Sequence, residues 1–138
     1  MTRSFAQLNT DLGGAFGAQA QYAQNLAPIT STSAVFAEFM TLTTAVLAAG
    51  TYRIGTAFQY ILSAAATEGE ARVQIDDAIT LVTELLSSGS AGDRQTYASF
   101  FEVVLAAGMH DIDIDIRRTT EPGTVTVDDG KLEIWRVA

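Results

Sequence analysis

The residues of this chain best placed to do chemistry are carboxylates. In His110-Asp111-Ile112-Asp113-Ile114-Asp115-Ile116-Arg117 three aspartates alternate with three isoleucines, and a hard cation such as calcium takes several oxygen ligands at about 2.3–2.6 Å. Alternate residues of an extended strand stand about 6.6–6.8 Å apart. Asp111 and Asp115 therefore cannot share one ion without a bend, and the ladder is expected to be a solvated or interface-facing strand, with Arg72, Arg117 or Arg118 as counter-charges. Asp128-Asp129-Gly130 lacks the alternating acids and closing glutamate of an EF-hand and is expected to turn a hairpin. These spacings predict no metal site and no cofactor.

Nucleophilic catalysis has little to work with. Cysteine is absent, His110 is the only histidine, and no serine lies in a Gly-x-Ser-x-Gly elbow. No glycine-rich phosphate loop leads into a helix. A glycoside could be hydrolysed only by two carboxylates held about 5 or 9 Å apart, a separation that nothing in the spacing specifies, so the chain is expected not to be an enzyme. Aromatic side chains offer the remaining chemistry. Tyr22, Tyr97 and Trp135 could stack on sugar rings, or they could join Arg53 and Arg136 in a contact between subunits, where tryptophan, tyrosine and arginine are enriched. Both readings stay open, with subunit contact preferred.

Whatever positions these residues must be one domain, since 138 residues suffice for a single core and 48% of them are apolar. The formal net charge is −8, Lys131 is the single lysine, and the arginines are scattered. No basic stripe is left to neutralise phosphates, so neither nucleic acid nor an anionic membrane surface is an expected partner. No charged segment followed by an apolar run opens the chain, and no stretch of about eighteen apolar residues occurs. The chain is accordingly expected to be neither exported by that route nor membrane-inserted.

From Ala34 onward, turn residues punctuate the sequence every 8 to 12 residues or so, the pattern of an all-β sandwich. Thr51 to Leu62 places Tyr52, Ile54, Phe58, Tyr60 and Leu62 on one face, as a half-buried strand requires. Ile79 to Leu86 would also suit a helix face, but its β-branched content favours a strand. Leu-Ala-Ala-Gly occurs at 47–50 and again at 105–108, each time reading as a tight reversal in which glycine supplies positive φ. In all, eight antiparallel strands are expected over residues 34–138. Residues 1–33 have no clean period and contain Gly13-Gly14, Gly17 and Pro28, which predicts an N-terminal arm and linker outside the core.

Leu47-Ala-Ala-Gly-Thr-Tyr-Arg-Ile54 with Phe58-Gln59-Tyr60, and Leu105-Ala-Ala-Gly-Met-His-Asp-Ile-Asp-Ile114 with Leu132-Glu-Ile-Trp-Arg-Val137, carry a resemblance. They resemble β-sandwich modules in structural proteins of tailed phages and phage-like gene transfer agents, which are similar to the tumour-necrosis-factor jelly roll. The resemblance implies an eight-stranded jelly-roll sandwich on a virion or particle surface, synthesised in the bacterial cytoplasm. It implies a homo-oligomeric spike, fibre, decoration or connector subunit, trimeric or pentameric, joined to a capsid, spike-fibre or tail component, with a host surface glycan as an alternative ligand. No catalytic residue carries over. An arm too poor in apolar residues to fold alone would order on its partner, and Phe5, Leu8, Phe16 and Leu26 are its expected anchors.

Overall fold

Alternation of apolar and polar residues becomes strand throughout the computed structural model, which describes residues 20–138. The nine strands are β1 (Gln21–Asn25), β2 (Ile29–Ser31), β3 (Ala37–Thr43), β4 (Gly50–Leu62), β5 (Gly69–Ile75), β6 (Ile79–Leu86), β7 (Arg94–Leu105), β8 (Asp111–Arg118) and β9 (Val125–Arg136). One sheet runs β1-β9-β4-β7, with β2 beside β1 on β9, and the other runs β3-β8-β5-β6. Every pairing is antiparallel. The chain passes repeatedly from one sheet to the other, the winding of a jelly roll.

One core fills the space between the sheets. Ile112, Ile114 and Ile116 of β8 face Ile54, Phe58 and Leu62 of β4 and Leu132 and Ile134 of β9, all essentially inaccessible to water. Each such side chain contributes roughly 1.5–3 kcal/mol on burial. Tyr52 is equally buried, and its hydroxyl donates to Ala48 O at 2.7 Å, which removes the penalty of an unpaired phenol.

Three expectations change. Residues 21–31 are not linker: β1 and β2 add to β9 in register, from Gln21↔Ile134 to Ser31↔Val125, so the boundary expected at residue 33 moves toward the N-terminus. Pro28 interrupts this edge and hides its period, while Ala23 and Ile29 still pack on the core. Phe5, Leu8 and Phe16 lie outside the described residues, and Leu26 is exposed between β1 and β2.

Asp128-Asp129-Gly130 is not a hairpin but a bulge within the continuous β9. Ala57 pairs with Lys131 and Gln59 with Asp128, leaving two β9 residues opposite Phe58. Asp129 takes φ 51°, and a Cβ on Gly130 would lie 2.4 Å from the Phe39 ring. This accounts for two expected strands merging into one, while β1 and β2 raise the total to nine.

The two Leu-Ala-Ala-Gly segments are not hairpin turns either. Each carries the chain from one sheet to the other, β3 to β4 and β7 to β8, and the two lie antiparallel, bridged at Leu47↔Gly108 and paired at Gly50↔Leu105. Both leucines are buried, and Leu47 N–H donates to Gly108 O at 2.7 Å. Gly108 has the expected positive φ, 147°, whereas Gly50, the first residue of β4, does not.

Candidate functional site

The strand registers place Tyr22, Glu133, Gly55 and Phe100 in one row across the outer face of the β1-β9-β4-β7 sheet. Gly55, Ala57 and Ala98 form a low floor, with Tyr22 and Phe100 rising on either side. Trp135 meets Phe100 edge to face, with centroids 5.9 Å apart. Between Tyr22 and Trp135 a cleft of about 500 Å³ is lined by Ala20, Gln21, Tyr22, Glu133, Ile134 and Trp135. A shallower one of about 160 Å³ continues across the floor to Phe100. Phe100 and Val104 are 63% and 75% exposed, an unusual investment of apolar surface in solvent. Charges on this face are largely matched: Arg53 pairs with Glu102, and Arg94 with Asp128 at 2.5 Å.

The outer face of the β3-β8-β5-β6 sheet has the opposite chemistry. Glu38, Asp76, Asp77, Asp111, Asp113 and Asp115 line a groove of about 340 Å³ with Thr41. The aspartates of β8 do point away from the isoleucines, yet Asp113 and Asp115 are only 7% and 6% exposed, which corrects the expected solvated strand. β8 is an inner strand, and the side chains of β3 and β5 close over it. Arg72 donates to Asp115 at 2.7 Å and Gln74 to the same oxygen at 3.1 Å, while Arg117 pairs with Glu70. Among the described residues Asp113 receives the Thr41 hydroxyl alone, at 2.5 Å. Burial, with the nearby charges of Asp115, Asp77 and Glu38, pushes its carboxyl above the usual range, and the Thr41 bond only partly opposes this. Among the described residues no group of three or more His, Cys, Asp or Glu is gathered to hold a metal ion.

His110 ties three connections together at one end. Its Nδ1 lies 2.7 Å from Asp76 Oδ2 and its Nε2 3.1 Å from Ala106 O, while its backbone N–H donates to Thr44 Oγ1 at 2.9 Å. Both ring nitrogens face acceptors, so the doubly protonated imidazolium fits best. The Asp76 bond raises the His110 pKa above its usual 6.5 against the pull of burial. Burial also works to raise Asp76, but the bonds from His110 and Asp111 N–H outweigh it and hold that carboxyl low.

The residues expected to form a contact surface are separated. Tyr22, Arg53 and Trp135 share the outer face, but Tyr97 points inward, its ring 5.1 Å from that of Phe58. Arg136 reaches back to Ala49 O at 3.1 Å and to Ala138 O at 3.1 Å, holding the corner where β4 begins. Phe100 and Val104 were missed. Their signal is the alternation Thr96, Ala98, Phe100, Glu102, Val104 along β7, whose outward direction becomes visible only when Phe101 and Val103 are seen against the core.

A two-sheet jelly roll with one acidic and one aromatic outer face is the class of protein that the fold defines. No protein-family model matches this chain, and no curated protein matches its sequence. Solved structures do share its fold. Eiger TNF from S. frugiperda aligns with a TM-score of 0.55 at 12% identity, over 87% of this chain and 94% of that one. The infectious bursal disease virus VP2 subviral particle aligns with a TM-score of 0.57 at 14% identity, over 86% of this chain but only 33% of that one. The likeness is one of fold. Among the described residues, no helix is long and apolar enough to cross a membrane.

Proposed function

We propose that this chain is a structural subunit of a virus or phage-like particle surface, working by assembly rather than catalysis, with the outer face of the β1-β9-β4-β7 sheet as its contact surface. The observation that carries the reading is the contrast of the two faces. A subunit of net charge −8 resists self-association, and the face bearing Tyr22, Phe100, Val104 and Trp135 sets exposed apolar and aromatic side chains beside matched charges. Residues 1–19 then serve as the arm toward a scaffold such as a capsid, spike-fibre or tail component, with a trimer or pentamer as the working stoichiometry.

Light scattering after size exclusion tests the surface. Wild type is expected to have an oligomeric mass, and Trp135→Glu or Tyr22→Glu to lower it while folding is retained. Unchanged mass in both variants removes this face from the assembly. Deleting residues 1–19 tests the arm separately, since unchanged incorporation into particles refutes its role.

A second reading has its own observation, the cleft of about 500 Å³ in which Tyr22 and Trp135 flank Gln21 and Glu133. Aromatic rings beside the Glu133 carboxylate suit a sugar, while the Gln21 amide oxygen is held by Ala45 N–H at 2.7 Å. Glycan-array binding that is lost in Trp135→Ala and kept in Tyr97→Ala, whose ring lies inside the sandwich, supports this reading over assembly.

A further inference from the structure

Of the four sheet edges, three are interrupted. The β1/β2 edge breaks at Leu26-Ala27-Pro28, β3 bulges at Phe39 between Glu38 and Met40, and β6 bulges at Leu81, where Val82 pairs with Val73 but Thr80 with Gln74. Breaks of this kind keep an open edge from recruiting further strands. β7 has none. Its 12 residues pair with β4 from Ile61↔Arg94 to Gly50↔Leu105 without a register shift, and it contains neither proline nor glycine. Among the described residues nothing pairs with its other side.

We propose that β7 is a two-fold seam between copies, lying antiparallel to the β7 of a second copy with Ala98 opposite Ala98, so that a trimer or pentamer built on the face contact is paired through it into a hexamer or decamer. The charges select both partner and register. β7 carries one cation, Arg94, and one anion, Glu102, eight positions apart on the same outer face. An antiparallel self-pairing brings Arg94 opposite Glu102 of the other copy only when it is centred on residue 98, and it does so twice. Arg94 already holds Asp128 and Glu102 already holds Arg53. Across the seam these pairs join into Asp128, Arg94, Glu102 and Arg53 in alternating sign. Registers centred on Thr96 or Phe100 give no such match, and like charges placed opposite each other are destabilising.

A seam at this edge also keeps the acidic groove, which belongs to the other sheet, out of the contact. The arrangement goes beyond the face contact proposed above. It doubles the β1-β9-β4-β7 sheet and sets Phe100 of each copy beside Thr96 of the other.

The test uses Ala98→Lys and Ala98→Glu in the full-length chain, with circular dichroism to verify folding. Each variant places like charges on the two-fold axis, so each is expected to halve the wild-type mass. An equimolar mixture is expected to regain it, because opposite charges then meet at the axis. That rescue separates the seam from the sheet face, whose floor includes Ala98: a face contact has no reason to recover on mixing. Hydrogen exchange supplies a second readout, in which alternate β7 amides gain protection at high protein concentration and lose it on dilution.

A monomeric wild type, unchanged mass in both variants, a mixture that stays at the lower mass, or protection independent of concentration, as a covering segment of the same chain would give, each overturns the proposal. Trp135→Glu distinguishes the two contacts. Loss of mass there with Ala98→Lys unaffected leaves the face and removes the seam, and the reverse leaves the seam.

Discussion

The outer surface of the β3-β8-β5-β6 sheet is a groove of carboxylates, whereas that of the β1-β9-β4-β7 sheet is an aromatic floor with matched charges. Their inner surfaces do not differ in this way: Ile112, Ile114 and Ile116 on one side and Ile54, Leu132 and Ile134 on the other are buried alike. The inward residues make the fold, and apolar side chains of similar volume are the exchanges it tolerates best. The outward residues decide what the fold can meet. A carboxylate face repels a second copy of the same acidic chain, while an aromatic face gains by being covered.

The largest expected effect tests whether the two sheets are equal partners inside. Ile114→Ala and Ile134→Ala should each lower unfolding stability by about 2–5 kcal/mol in urea titrations. A small loss for one of them would mean that its sheet is not bound into the common core.

Next comes His110→Gln, which breaks the clasp at the acidic sheet's end and should cost about 1–2 kcal/mol near pH 6, allowing for the partial exposure of Asp76. The pH dependence has a definite sign. His110 is raised in the folded state, so its contribution is complete below about 6.5 and disappears as pH rises through the folded value. Asp76 is lowered, so its contribution holds above 3.8 and fades as pH falls through its folded value. Wild-type Tm should therefore decline on going from pH 6 to pH 9 by more than that of the variant. Parallel curves would show that the clasp is not charged.

A smaller effect of opposite sign is expected on the aromatic sheet. Thr56 faces the core 4% exposed, and its Oγ1 finds no hydrogen-bond partner among the described residues. Thr56→Val keeps the shape, removes the unpaired hydroxyl and should raise stability by about 1 kcal/mol; a loss would reveal an unseen partner, such as an ordered water. Smallest of all, Arg53→Ala exposes the half-solvated Glu102 and should change monomer stability by less than about 1 kcal/mol. A larger change would mean that the pair is not a solvent-screened surface bridge.

Much of the fold was legible because a strand's period of two survives in the sequence wherever one face is buried. Ile112-Asp113-Ile114-Asp115-Ile116 and Tyr52 to Leu62 are the clearest cases, and both lie in the expected strands, β8 and β4. Where local and long-range preferences compete, the local signal misleads. Asp128-Asp129-Gly130 has turn chemistry, but β4 offers a continuous partner on both sides of it, and the ladder is kept by bulging one residue. The Leu-Ala-Ala-Gly segments were legible as breaks, though not as sheet crossings, because a hairpin and a crossing make the same local demands. Of the aromatic face, Trp135 and Tyr22 stood out by residue type, while Phe100 sat unnoticed in an alternation whose inward phase was not evident.

The sequence by itself determined the strand-rich class, the sidedness of individual strands and the acidic balance, since these depend on neighbours one or two residues apart. The tertiary structure alone decided which strands are inner and which are edges. It buried Asp113 between β3 and β5, turned Tyr97 inward, brought Tyr22 within reach of Trp135 and left β7 unpaired on one side. Those outcomes depend on pairings between residues far apart in the chain, such as Tyr22↔Glu133, and periodicity along a chain carries no record of which strand will lie beside it.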